Sequence, residues 1–425
     1  MAGRLAGLLA NRNFALLWVG LVLSQIGVRA THAANLFHVY TLTGSTLQTG
    51  LVGLFMGVAL IVLSPMGGAV ADRVDRRRLL QVSQTVSMTV SLTLGVTTLA
   101  GDVRPWHIFL AVVVNTAAQT FDSPARQALV AGLVQPGRLM EAFTLLQSSN
   151  KLAMLVGPAL GGLVIAVSGP GAVYVADGVT YAALVGILAL LRLPPKTADV
   201  VRRSMLQDIA EGVRYVIQRP IIYQLLSLDL SAALFAGYRG LLPAIAVDVL
   251  GVGAAGYGLL SAAPAVGALL GAMVMFRLIR RVRAGRLALL STMAYGVSAI
   301  MLAQGRALPA ALVAAATLGL FDALAVTVRH SAVQLETPDM LRGRVSSLVQ
   351  MASRGGPALG DLNMGALAGV LGPSLALTIG GMVPITVSAA YWLRGTVVKD
   401  YRVPRSPGDR SPPRPVSDQS PPAGP

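Results

Sequence analysis

The chain has 425 residues and a formal net charge of +16, yet only 12% of its residues are charged and 54% are hydrophobic. A water-soluble domain carries about 25% charged residues, so most of this chain does not cover an aqueous surface, and its basic residues do not form a nucleic-acid face. Cysteine is absent, which excludes disulfides, cysteine nucleophiles and zinc–thiolate sites.

In chain order, the N-terminal segment begins with basic residues and runs into an apolar block too long for a signal peptide, so it reads as a first membrane span. Apolar blocks recur at about residues 14–38, 47–71, 79–100, 106–131, 143–167, 172–192, 221–247, 256–280, 287–304, 308–332, 346–370 and 374–394. Each is long enough to cross the hydrocarbon core as a helix. A β-barrel would show short alternating segments instead.

The cations sit between these blocks. Arg73, Arg76, Arg77 and Arg78 follow the second block, Arg126 and Arg138 flank the fourth loop, and Arg277 to Arg286 and Arg329, Arg342 and Arg344 mark later loops of the same side. The opposite loops hold Arg104 and Arg306, while Arg29, Lys151, Arg239 and Arg354 fall within blocks. Cytoplasmic loops are the Lys/Arg-rich ones, so both termini are expected in the cytoplasm. Residues 193–220 carry Leu206, Ile209, Val213, Val216 and Ile217 at helical spacing, an amphipathic linker helix on the cytoplasmic surface. The Pro/Ser-rich segment 403–425 cannot build a core and is expected to be disordered. The expected organisation is therefore an N-terminal six-helix half (1–192), the linker (193–220), a C-terminal six-helix half (221–402) and the tail (403–425).

The halves share an internal pattern. Residues 126–161 and 329–360 each have an Arg ending a span, a Pro nine or ten residues later, a basic re-entry, a Leu/Val-Gln step and then GPALG. Parallel repeats with binding between them are a secondary-transporter architecture.

These residues carry a family resemblance. RNFALLWVGLVLSQIG, LTGSTLQTGLVG, GGAVADRVDRRRLL, FDSPARQALVAGLV and GPALGG resemble the major facilitator superfamily, and within it the branch of siderophore (enterobactin-type) and macrolide exporters, over about residues 10–400. The resemblance implies an all-α membrane protein of twelve transmembrane helices in two pseudo-symmetric six-helix halves, the major facilitator fold. It implies a secondary active transporter that exports a siderophore, antibiotic or related metabolite by alternating access, coupled to protons. It resides in the cell membrane as a monomer, its partners being the small molecule, protons and the lipid bilayer. Import on the same fold is the alternative, and a non-transporting sensor or scaffold a more distant one.

Gly68, Asp72, Arg73, Arg76, Arg77 and Arg78 match the loop motif of that superfamily, with Asp75 in place of its second glycine. By resemblance, Gly68, Asp72, Arg73, Arg76 and Arg77, with Arg126, lock the cytoplasmic side, although basic residues in such a loop also simply fix topology. Gly157, Pro158, Gly161 and Gly162 resemble an exporter motif whose upstream glycines are replaced here by Ala153 and Thr144; ordinary helix packing is the competing reading.

Intramembrane charges mark functional sites by default. Arg29 and Arg239 lie at near-equivalent depths in the first spans of the two halves, His32 follows Arg29 by one turn, and Asp229 and Asp322 are the deepest-looking acids. These five are the candidates for substrate binding or proton coupling, with structural ion pairing as the plainer role. Asp122 reads as a helix partner of Arg126, and Asp177 as interfacial. His32, His38, His107 and His330 show no metal-motif spacing beyond an isolated pair six apart. No lysine follows a glycine, so no P-loop exists. No cofactor, metal site, nucleic-acid partner or enzyme activity is expected.

Overall fold

The computed structural model describes residues 8–71, 74–191 and 214–402. Asp72 and Arg73, nearly all of the expected linker helix and the segment 403–425 therefore lie outside the described residues. Among the described residues there is no strand. The long helices are α1 (Arg12–Thr43), α2 (Thr46–Ala71), α3 (Arg76–Leu99), α4 (Pro105–Leu133), α5 (Leu139–Leu190), α6 (Pro220–Phe235), α7 (Gly253–Arg281), α8 (Ala284–Gln304), α9 (Leu308–Glu336), α10 (Asp339–Leu371) and α11 (Pro373–Leu393). Nine helical segments among the described residues are long and apolar enough to cross a membrane.

Local chemistry sets the ends of these helices. The Asn11 side chain accepts from the backbone N–H groups of Asn13 and Phe14 to start α1, and Gly44 ends it at φ 61°. The carboxylate of Asp75 accepts from the Arg78 backbone N–H (2.9 Å) and caps α3. Proline opens α4, α6 and α11 at the first turn, where its missing N–H leaves no bond unmade.

Three expected spans differ from simple helices. The blocks at 143–167 and 172–192 form one element, α5, folded back at Gly169, whose φ of 77° and ψ of 171° break the helical path just before Pro170. The block at 221–247 is not one helix. It runs helically to Phe235, passes through a 3₁₀ turn at Arg239–Leu241, and ends in a π-type turn at Ile245–Val249. Gly237, Gly240 and Pro243 explain the break: two residues with no side chain to stiffen the backbone and one with no donor.

The packing is that of a lipid-embedded bundle. Large apolar side chains point outward, with Val370 84%, Leu393 83% and Met140 80% exposed. An exposed apolar belt of this kind has no place on a water-soluble monomer. The interior uses small residues that let backbones approach. A methyl group added at Gly267 or Gly319 would run into the backbone of the neighbouring helix, so α7 and α9 pack at very short range.

Candidate functional site

The GPALG repeats set the framework. In the first, Gly157 and Gly161 lie against α1: a side chain on Gly157 would meet Arg29 Cβ at 2.5 Å and the Ile26 carbonyl at 2.9 Å, and one on Gly161 would meet Ala30. The next residue, Gly162, faces Gly258 of α7. In the second repeat, Gly356 and Gly360 lie against Ala233 of α6, and the next residue, Asp361, faces Gly50 and Gly53 of α2. Each motif thus grips a helix of its own neighbourhood with two glycines and reaches across the bundle with the residue that follows.

These crossings share one end of the bundle, that of Thr43. The Tyr257 hydroxyl donates to the Ala33 carbonyl (2.9 Å), Thr46 Oγ1 donates to the Gly365 carbonyl (2.9 Å), and the Tyr40 hydroxyl donates to Asp248. The rings of Phe37 and Tyr257 lie 5.2 Å apart. Gly162→Leu is expected to keep this end from closing, because the added atoms meet the backbone of α7, not a movable side chain. Overpacking of this kind costs about 1–3 kcal/mol. Thermal melting of the purified protein should fall and transport should be lost. Unchanged melting and transport would show that the Gly162–Gly258 contact is dispensable.

The break after α6 places charge in the interior. Its freed backbone groups find partners: the Gly240 N–H donates to Asp361 Oδ1 (3.1 Å), and the Tyr295 hydroxyl donates to the Ala236 carbonyl (3.3 Å). Irregular backbone at membrane depth persists only where it is satisfied in this way or lines a cavity. Arg239 emerges from the break with its guanidinium 5.5 Å from the Tyr238 ring. Its electrostatic neighbours include Tyr295, Asp361 and Asp322. Although surrounded by helices, Arg239 and Asp322 are exposed, so they face open space inside the bundle.

From the other side, α1 brings up Arg29 and His32. His32 lies within electrostatic reach of both Arg29 and Arg239, and Arg29 donates to Asn150 Oδ1 of α5 (3.4 Å). The structure thus brings together four of the five candidates, Arg29, His32, Arg239 and Asp322. The fifth, Asp229, sits beside them in an ion pair with Arg329, which also donates to Ser353 (3.3 Å). The pair borders a cavity of about 20 Å³, lined also by Thr292, Tyr295 and Asp322. That is room for a water molecule among polar groups.

Several residues were misplaced or missed by the sequence reading. Arg329, counted there with the loop cations, is 4% exposed inside α9. Asp177, read as interfacial, is 1% exposed and accepts from Ser91 Oγ (3.0 Å), because the turn at Gly169 sets it farther into the second arm of α5. Asp361, one of the four acids of possible membrane depth in the sequence but placed shallower than Asp229 and Asp322, is 5% exposed; it follows GPALG directly, where the first repeat has Gly162. Asp122 pairs with Arg126 one turn on, as its spacing implied.

The loop motif is only partly within the described residues. Gly68 belongs to α2. Arg77 donates to the Ala189 carbonyl in the last turn of α5 (2.7 Å), satisfying a helix C-terminus. Among the described residues the acidic partner of Arg126 is Asp122.

A bundle of long apolar helices around a charged interior, joined at one end by paired glycine contacts, is that of a multi-pass membrane transporter of the major facilitator superfamily. Within it the chain belongs to the transmembrane secretion effector family, whose model matches residues 3–418. This is a family of transport proteins and not of enzymes. The chain is 27% identical over 379 residues to the enterobactin exporter EntS of Citrobacter koseri, covering 87% of this chain and 89% of the relative. It is 26% identical over 341 residues to the EntS of Escherichia coli O1:K1, with 80% and 81% covered. Among solved structures it resembles a bacterial homologue of the lysosomal transporter Spinster in an inward-facing, unoccupied conformation (TM-score 0.72, 15% identity, 95% of this chain and 98% of that one). It also resembles the nucleoside transporter NupG (TM-score 0.72, 13% identity, 90% and 98%).

Proposed function

We propose that this protein is a secondary active exporter of a small anionic molecule, of the siderophore type, driven by protons through alternating access. The carrying observation is the interior convergence of Arg29, His32 and Arg239, with His32 within electrostatic reach of both arginines. Guanidinium groups recognise carboxylates and related oxyanions through a planar fork, and a catechol-bearing molecule offers such oxygens. The exporter relatives and the GPALGG motif (Gly157, Pro158, Gly161, Gly162) support efflux over import.

In this reading the two arms of α5 and the broken span after α6 complete twelve transmembrane segments in two six-helix halves, and each GPALG repeat performs the same task in its half. The crossings at the Thr43 end make that end the closed one, so the open interior faces the side of both termini. The Lys/Arg asymmetry supports placing that side in the cytoplasm of a bacterial cell. Asp229 and Asp322, beside a cavity with room for water, are suited to exchange the coupling proton. The motif of Gly68, Asp72, Arg73, Arg76, Arg77 and Arg126 would lock the cytoplasmic side in the opposite state. The protein works as a monomer, with no cofactor.

The test is flux in vesicles of inside-out orientation. An acid lumen should drive uptake of enterobactin into the lumen, and a protonophore should abolish it. Substrate moving the other way would establish import, and no movement of any catecholate or macrolide would remove the exporter reading. Within this assay Arg29→Lys is expected to weaken transport, and Arg29→Ala to abolish it without loss of membrane insertion, because lysine keeps the charge and loses the fork. Equal transport by Arg29→Ala would make Arg29 a packing residue.

A further inference from the structure

The fork of α5 holds α1 from two sides. On the first arm, Gly157 and Gly161 press on Ile26, Arg29 and Ala30. On the second arm, Asp177 and Thr180 press on Gly27, where an added side chain would meet Asp177 Oδ1 at 2.5 Å and Thr180 Oγ1 at 2.8 Å. At about 100° per residue, Gly27 and Thr31 share one face of α1 and Arg29 and His32 share another, the midlines of the two pairs lying about 150° apart. The helix that carries two of the interior cations therefore rests its back on Asp177.

Asp177 is a buried acid that has no cationic partner among the described residues. Its carboxyl meets hydroxyl groups instead. Ser91 Oγ of α3 donates to Oδ2 (3.0 Å), and the Thr31 hydroxyl of α1 stands beside it. Oδ1 and Thr31 Oγ1 are both buried, and neither has a close hydrogen-bond partner among the described residues. The other titratable group facing the carboxyl is Tyr181, one turn on in the same arm, with Asp122 and Arg126 of α4 beyond it. Tyr174, one turn back, bonds to His38 of α1 (3.2 Å). The charged residues of α3 are confined to its first turn, at Arg76, Arg77 and Arg78. A charge taken from water and given only neutral partners is far costlier than a neutral polar group. A proton on Oδ1 removes the charge and supplies a donor for Thr31 Oγ1, so one hydrogen answers both unsatisfied atoms.

We propose that Asp177 is a second proton-binding site, separate from Asp229 and Asp322, and that its proton holds α1 against the second arm of α5. When α1 parts from the arm, water reaches the carboxyl and takes the proton. The carboxylate left behind keeps the gap hydrated until a proton returns. Arg29 and His32 on the front of α1 move with the helix, so the proton behind it sets the position of the cations in front. The proposal rests on the proton-driven reading for its place in the cycle, but its tests do not require flux.

In infrared spectra a neutral carboxyl and a carboxylate absorb in separate bands. Subtracting the spectrum of Asp177→Asn from that of the parent, at neutral pH in sodium-free buffer, should leave a neutral-carboxyl band. A carboxylate band in its place would overturn the proposal. Loss of the neutral band on adding sodium, with a rise in melting temperature in the parent alone, would overturn it in favour of a metal-cation site. Asparagine offers one acceptor and one donor, the pattern of the neutral acid, so this variant should melt like the parent; a large fall would count against a neutral Asp177. Because the chain has no cysteine, Thr180→Cys places a single thiol against Gly27 that reports the contact of α1 with the arm. At alkaline pH this thiol should react with methyl methanethiosulfonate about tenfold faster than that of Thr180→Cys/Asp177→Asn, the order of one hydrogen bond to a charged group. At acid pH the two rates should agree. Equal rates at both would overturn the link to α1. A protein that meets these expectations yet moves no catecholate fails the exporter reading alone.

Discussion

Arg329→Ala is expected to be among the most destabilising single substitutions in this protein. The guanidinium is 4% exposed and the Asp229 side chain 12% exposed, and the two form an ion pair between α9 and α6. Breaking a buried pair from one side leaves the other charge without compensation, at about 3–5 kcal/mol. Ser353 loses its donor as well. The double variant Asp229→Asn/Arg329→Gln removes both charges while keeping size and hydrogen-bonding capacity, so it should recover most of the lost stability. Thermal melting of the solubilised protein reads both effects. Equal losses in the single and double variants would show that the ion pair is not what holds α6 to α9. The double variant also addresses coupling: if Asp229 exchanges the proton, the refolded protein loses its response to a pH gradient. A response of normal size would move that role to Asp322.

Asp361→Ala is the second change with a large expected effect, and it acts on two contacts at once. Asp361 Oδ1 accepts the Gly240 N–H, and its backbone and side chain fill the space beside Gly50 and Gly53. Alanine orphans a buried backbone donor, worth about 1–3 kcal/mol, and leaves Arg239 with one acid fewer nearby. Asp361→Asn keeps an oxygen for Gly240 and removes the charge. The alanine variant should therefore melt lower and lose transport. The asparagine variant should melt near the parent and transport with altered dependence on substrate charge. If both variants melt like the parent, the break after α6 is held by other contacts.

The helical bundle was legible because lipid imposes it. An apolar block of some twenty residues has few alternatives to a helix, and block positions survive errors of several residues. The central charge cluster was half legible. Arg29, His32, Arg239 and Asp322 were selected because a charge inside an apolar block is conspicuous. Arg329 and Asp177 were lost because each sits near the end of a block, where a shift of a few residues decides between interior and surface. The break after α6 was hidden by composition: Ala236 to Val249 is apolar enough to read as helix, and only Gly237, Gly240 and Pro243 signalled otherwise.

The hydrogen bond from Gly240 to Asp361 spans 121 residues of sequence, and its timing matters during synthesis. At a ribosomal rate of about 5–20 residues per second, the broken segment after α6 is made on the order of 10 s before the carboxylate that satisfies it. For that interval an unpaired backbone donor and the Arg239 side chain wait in or near the membrane, and α10 in turn arrives with a carboxylate that has no other backbone partner among the described residues. Neither segment is a comfortable guest of the bilayer alone. The second set of helices must therefore assemble as a group, retained near the insertion machinery until α10 emerges. A nascent chain cut short between residues 250 and 360 is left with an unsatisfied interior, a ready substrate for membrane proteases.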